Sequence, residues 1–190
     1  MSRPLVAFLL TLRSDIRYRT GRLDAARRDA EQAVELCARG PDAHVLTAAL
    51  FQAAKVDAVQ GRSADCVARL DRATEIAAAG PDLTALAHLA ATHGLLRLGQ
   101  GAWDDAVRHL ERAEALQADH GPADPLVVGS SPRLIEAYVA CGRHDDARRE
   151  LGRLATAVRS DPSPAARAAV LRAEALTAAD ADLDRRFPAA

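Results

Sequence analysis

Four stretches of sixteen residues decide the fold: GRLDAARRDAEQAVEL (21–36), GRSADCVARLDRATEI (61–76), GAWDDAVRHLERAEAL (101–116) and GRHDDARRELGRLATA (142–157). They align without gaps, and their opening glycines, Gly21, Gly61, Gly101 and Gly142, stand 40, 40 and 41 residues apart. The connections recur as well: Gly40-Pro41-Asp42, Gly80-Pro81-Asp82, then His120-Gly121-Pro122-Ala123-Asp124. Self-similarity at such a period is the signature of a stacked repeat architecture.

Each recurring position has a structural cause. Glycine marks the point where one helix ends and the chain turns back, which favours positive φ. Five residues on stands a small residue (Ala26, Cys66, Ala106, Ala147) that lets two helices approach closely. At nine, twelve and fifteen residues come Ala30/Leu70/Leu110/Leu151, Ala33/Ala73/Ala113/Leu154 and Leu36/Ile76/Leu116/Ala157, offsets that trace one apolar stripe of a helix. Acids gather where the second helix begins (Asp24, Asp65, Asp104-Asp105, Asp145-Asp146) and complement its dipole. Pro41 and Pro81 stop one unit and open the next.

The spacing predicts first-of-pair helices over about 5–19, 43–59, 83–99 and 132–141, and second-of-pair helices over about 23–38, 63–78, 103–118 and 144–159. An Ala-rich helix follows at about 164–179. The fold class is all-α, a right-handed α-solenoid of four antiparallel helix pairs plus a C-terminal helix. The domain covers 1–180, with units at about 5–40, 41–80, 81–121 and 131–160, a capping helix at 163–180 and a polar tail at 181–190. The long Pro/Gly/Ser-rich connection at about 119–131 breaks the regular stacking.

Composition agrees and narrows the function classes. The 190 residues carry 25 basic and 26 acidic side chains, a balance that offers no whole-surface footprint for nucleic acid or anionic lipid. Lys55 is the sole lysine and asparagine is absent. Alanine and arginine dominate, both strong helix formers. Cys37, Cys66 and Cys141 form no C-x-x-C or disulfide framework and read as small apolar residues in a reducing compartment. The opening MSRPLVAFLLTL places Leu5, Phe8/Leu9, Leu12 and Ile16 at helical spacing, an amphipathic first helix rather than a secretory signal. No apolar run is long enough to span a bilayer. A cytoplasmic protein is expected.

Gly94, Tyr138, Gly101-Ala102-Trp103-Asp104-Asp105-Ala106 and Gly142-Arg143-His144-Asp145-Asp146-Ala147 resemble the tetratricopeptide pattern, in a unit of 40 residues rather than the usual 34. Ala102–Ala178 is similar to the helical-repeat region of the large ATP-binding regulators of the LuxR family, the MalT-like proteins of actinobacteria. That likeness rests on Asp124-Pro125-Leu126-Val127 through Pro132-Arg133-Leu134-Ile135-Glu136-Ala137-Tyr138-Val139-Ala140-Cys141-Gly142-Arg143. It implies a sensor array that binds inducers and other proteins, between a nucleotide-binding domain and a helix-turn-helix. The sequence holds no G-x-x-x-x-G-K-[ST] loop and no DNA-reading helix after the array, so it reads as a fragment or a truncated relative.

No catalytic or metal constellation emerges, and no cofactor is expected. His44, His88, His93, His109, His120 and His144 are scattered without H-E-x-x-H, and Cys141 with His144 makes only two ligands. Asp104-Asp105 and Asp145-Asp146 sit where helix starts call for acids, Ser130-Ser131 reads as polar linker, and Trp103 fills the repeat's aromatic slot as a packing residue. Function therefore falls to binding by a protein-interaction module. The tetratricopeptide likeness implies a concave face lined by first-of-pair helices. The repeat offset assigns to it Phe8, Thr11, Asp15 and Arg19, then Phe51, Lys55 and Val59, then His88, Ala91 and Leu95, then Arg133 and Glu136. The clamp by which chaperone-binding members hold a C-terminal carboxylate uses asparagines and lysines, and a chain with no asparagine and one lysine cannot build it. A protein or peptide partner is expected in the groove, with a small-molecule inducer as the alternative, and no nucleic acid or membrane. The C-terminal helix, with its stripe of Ala166, Ala169/Val170, Ala173 and Leu176/Thr177, either caps the array or pairs with another copy as a homodimer.

Overall fold

The computed structural model describes residues 2–38, 40, 42–80, 82–118, 129–160 and 163–178. Pro41, Pro81, His120, Asp124–Val127, positions 119–128 of the long connection and the 181–190 tail lie outside the described residues. Within them run α1 (Arg3–Arg19), α2 (Leu23–Cys37), α3 (Ala43–Val59), α4 (Ser63–Ala79), α5 (Leu83–Gly99), α6 (Trp103–Ala118), α7 (Ser130–Ala140), α8 (His144–Ser160) and α9 (Pro164–Thr177). Helices set by periodicity alone match these to within two residues at each end; α7 begins at Ser130, so Ser130-Ser131 is helix rather than linker. No described helix is long and apolar enough to cross a membrane.

The four repeat glycines do what their place requires. Gly21, Gly61, Gly101 and Gly142 have φ of 74°, 72°, 72° and 72°. At each, the glycine N–H donates to the carbonyl three residues back and the next N–H to the carbonyl five back, as in Gly21 to Tyr18 and Arg22 to Arg17. This doubly bonded helix stop recurs four times and folds each second helix back on its first. At the other end of the unit, Asp42 and Asp82 accept the N–H of Val45 and Ala85 at 3.1 and 2.9 Å, so the acid of the Gly-Pro-Asp connection is the helix N-cap.

Pairs α1/α2, α3/α4, α5/α6 and α7/α8 pack as hairpins. First helices also pack on one another, α1 on α3, α3 on α5, α5 on α7 and α7 on α9, with no comparable packing between successive second helices among the described residues. The first helices therefore form the crowded inner wall and the second helices splay outside, which makes the inner wall concave. Alanines at the crossings (Ala7, Ala26, Ala30, Ala49, Ala53) are fully buried and let the backbones close up, with Leu50, Leu70, Leu96, Leu110 and Leu154 filling the spaces between. Each such leucine contributes about 1.5–3 kcal/mol of burial.

Two expectations about the stripe are corrected. The position fifteen residues after the glycine (Leu36, Ile76, Leu116, Ala157) is only half-buried; burial passes to the next residue, Cys37, Ala77 and Val158. An α-helix advances 3.6 residues per turn, so a stripe that begins at offset five meets the core again at sixteen. In the fourth unit Leu151 is half-buried while Glu150 is buried, its Oε1 accepting from Ser131 Oγ at 2.5 Å. Of the two roles expected for the C-terminal helix, the packing supports the cap: Ala166 and Ala173 of α9 are buried against α7 and α8.

Candidate functional site

The inner wall holds a polar cluster built from α1, α3 and α7. Asp15 of α1 stands between Lys55 Nζ of α3 at 2.6 Å and Arg19 Nε at 2.7 Å. Lys55 lies 4.8 Å from the centre of the Tyr18 ring, a cation–π distance. The Tyr18 hydroxyl accepts from Arg133 Nη2 at 3.3 Å, a bond between α1 and α7 across 115 residues of sequence. Residues that the repeat offset could only align are thereby brought into contact by the curl of the array.

Burial sets the charge states. It pulls the Lys55 ammonium below its ordinary value, against the pull of Asp15, with Arg133 and Arg19 adding to the depression. Burial would raise Asp15, but Lys55 and Arg19 outweigh it and hold the carboxyl below the usual range. His88 stacks on Phe51 with ring centres 4.7 Å apart. Burial, with Lys55 nearby, pushes His88 down to about 4, so the ring is neutral at pH 7.

Beside this cluster a cleft of about 570 Å³ opens, lined among others by Tyr18, Leu95, Trp103, Arg133, Glu136 and Arg172. Arg172 Nη2 of α9 donates to Glu136 Oε2 at 2.7 Å. Cluster and cleft together display four cations (Arg19, Lys55, Arg133, Arg172) against two carboxylates (Asp15, Glu136). Walls of Leu95, Val59 and Trp103 add apolar surface.

The structure thus places Asp15, Arg19 and Lys55 together, Phe51 against His88, and Leu95, Arg133 and Glu136 on the cleft. Phe8 is exposed on α1 and is not among the residues that line the cleft. Thr11 is buried, its hydroxyl donating to the Ala7 carbonyl at 2.9 Å, and Ala91 is buried too; neither reaches the groove. Tyr18, Trp103 and Arg172 were missed. Trp103 was read as packing, yet it is 39% exposed and borders the cleft. With aromatics at 3% of the chain, the placement of Tyr18 just before one hairpin turn and Trp103 just after another was the available signal. Among the described residues no three His, Cys, Asp or Glu side chains converge as metal ligands.

A tetratricopeptide repeat model matches residues 97–171. No curated protein matches the chain. Among solved structures, aspartyl phosphate phosphatase F from Bacillus subtilis aligns with a TM-score of 0.75 at 15% identity, over 98% of this chain and 49% of that one. The nearly identical TPR-like repeats of a putative kinesin light chain from Podosopora anserina align at 0.63 and 20% identity, over 98% and 94%, and a variant of it at 0.64. This chain spans about half the length of the phosphatase. At such identities the shared property is the fold. The array has the tetratricopeptide fold, and residues 97–171 carry that family's repeat in sequence.

Proposed function

We propose that the chain is a non-catalytic protein-interaction module that takes an extended or helical protein segment along its inner wall. The observation that carries this reading is the cleft to which four first helices and α9 contribute, with its cation surplus beside apolar walls. A segment carrying a carboxylate next to a large apolar side chain complements it, since Arg133 and Arg172 line the cleft together with Leu95 and Trp103. The small-molecule reading requires an enclosed apolar pocket; the cleft beside Leu95 carries Arg133, Glu136 and Arg172 instead. The finer reading, a sensor array related to LuxR-family regulators, rests on the sequence resemblance of Asp124–Val127 and Pro132–Arg143 alone. A cytoplasmic location is part of the proposal and rests on three free cysteines, Cys37, Cys66 and Cys141.

The test is selection of binders from a displayed peptide library with the whole chain, followed by binding of the selected peptides to Phe51→Ala and Arg133→Glu variants. Enrichment of acidic-plus-apolar peptides that lose about tenfold or more in affinity for Arg133→Glu supports the groove. Peptides that bind both variants as tightly as the parent protein refute it.

A further inference from the structure

One helix carries most of the large apolar surface left in contact with solvent. Among the described residues, Leu5, Phe8, Leu9, Leu12 and Ile16 of α1 are 43–63% exposed, and they recur at three- and four-residue spacing along one face. The remaining large exposed apolar residues, Val59, Trp103 and Leu171, stand singly on other helices. A contiguous stripe of this kind marks a contact surface rather than the ordinary scatter of exposed leucines.

The repeat shows what this face does elsewhere. Forty residues on, α3 presents Val45, Ala49, Gln52 and Val56, and eighty residues on, α5 presents Ala85, Leu89, Thr92 and Leu96. All eight are buried, so the same face is the inter-unit contact of the interior helices. The interior versions are smaller and include a polar residue: Gln52 Nε2 donates to Ser14 Oγ of α1 at 3.3 Å. The α1 version, Leu5, Leu9, Leu12 and Ile16, is large and apolar at every position. It departs from the face that a preceding repeat covers and matches the seam of a two-helix coil.

Its spacing is self-complementary. The steps from Leu5 to Leu9 to Leu12 to Ile16 are four, three and four, a series that reads the same in both directions. Two copies of α1 laid antiparallel about a two-fold axis between positions 10 and 11 set Leu5 against Ile16 and Leu9 against Leu12. Isologous dimers require this property of a surface. The charges flanking the seam do not oppose it: Arg13 and Arg17 turn away to Asp29 of α2 at 2.7 and 2.6 Å, and Asp15 is held by Lys55.

We infer that the chain self-associates through α1, two copies packing antiparallel along the Leu5–Leu9–Leu12–Ile16 seam. A standard stable interface buries about 800 Å² per partner, and a seam along one helix is a small interface, so the association is expected to be weak and concentration-dependent.

Sedimentation velocity of the whole chain from about 1 μM to 1 mM reads the equilibrium directly. The expected result is a monomer–dimer transition that Leu9→Glu weakens at least about a hundredfold and Leu171→Glu leaves in place, both variants keeping the parent's helicity. A chain that stays monomeric throughout overturns the inference, as does a dimer that survives Leu9→Glu. So does a monomer that floats with phosphatidylcholine–phosphatidylglycerol vesicles, which would give the stripe to a lipid surface. Register is tested with Leu5→Cys and Ile16→Cys. These sites are about 16 Å apart along one helix, too far for an internal disulfide, but face each other across the two-fold. The double variant is expected to give a disulfide-linked dimer on mild oxidation, and each single variant is not. Equal cross-linking of the single variants overturns the antiparallel register.

Discussion

Gly94 offers a sharp test of how closely α5 and α6 approach. A methyl group at this position would lie 2.5 Å from Leu110 Cγ and 2.7 Å from Cδ2. Ordinary contact begins at 3.4 Å, so Gly94→Ala must part the helices or move Leu110 by roughly 0.9 Å. Leu110 is fully buried and the clash falls on its branch carbon, which rotation about χ2 does not move and which a change of χ1 could shift only by driving the side chain into packed neighbours. Overpacking of this kind costs about 1–3 kcal/mol, and alanine returns about 1 kcal/mol of helix propensity. The expected net loss is about 1 kcal/mol, a fall in Tm of roughly 2–4 °C for a chain of this size. Gly152→Ala in α8 is the control: the site is exposed with nothing within 4 Å, so the same change should raise Tm. Adding Leu110→Ala to Gly94→Ala should be less harmful than the sum of the two, with a coupling of about 1 kcal/mol. Thermal melts followed by circular dichroism measure all four variants. A Gly94→Ala protein that melts at or above the parent temperature, or a cycle without coupling, refutes the close approach.

Two further outcomes follow from features already described. Gly61→Ala places an L side chain at φ 72° with open space around it, so backbone strain alone should cost about 1–2 kcal/mol; a melt unchanged from the parent would contradict the helix stop. His88 and His93 are both pushed down to about 4 by burial, from an ordinary 6.5. The unfolded chain therefore takes up protons between those values that the folded chain refuses, and stability is full above pH 6.5 and falls as pH drops toward 4. Urea titrations at pH 7 and pH 5 should show a drop that His88→Gln with His93→Gln makes shallower, and an equal drop in that variant would remove the histidines from the cause.

The helices and turns were legible because their determinants are local. A glycine followed five residues later by a small residue fixes a turn and a crossing without reference to the rest of the chain. The groove was legible only in part. Repeat arithmetic put Asp15, Lys55 and Leu95 in register because they occupy one offset in three units. It could not show that Tyr18 meets Arg133, because that contact depends on curvature accumulated over three units. Thr11 failed for a different reason: at the offset where α3 carries Phe51, a small hydroxyl satisfies its own helix and sinks beneath the surface. The stripe slipped from offset fifteen to sixteen because four short gapless alignments reward identity of residue type, while burial follows helical geometry.

The first two hairpins each carry an ionic pair with a buried carboxylate between their helices, and the two are not alike. In the first unit the second helix supplies the acid: Asp29 of α2 binds Arg13 and Arg17 of α1. In the second unit the polarity is reversed, with buried Asp57 on α3 and Arg69 on α4 at 2.9 Å. The third unit has neither arrangement, since Arg97 and His109 occupy the matching positions and His109 stacks instead on His93 with ring centres 4.9 Å apart. Repeats of near-identical shape risk joining the wrong partners while they fold. Here a hairpin of α1 with α4 would set Arg17 against Arg69, and one of α3 with α2 would set Asp57 against Asp29. The opposite polarity of the first two hairpins thus disfavours an exchange of helices between them, so that two units of one shape can still find their own partners.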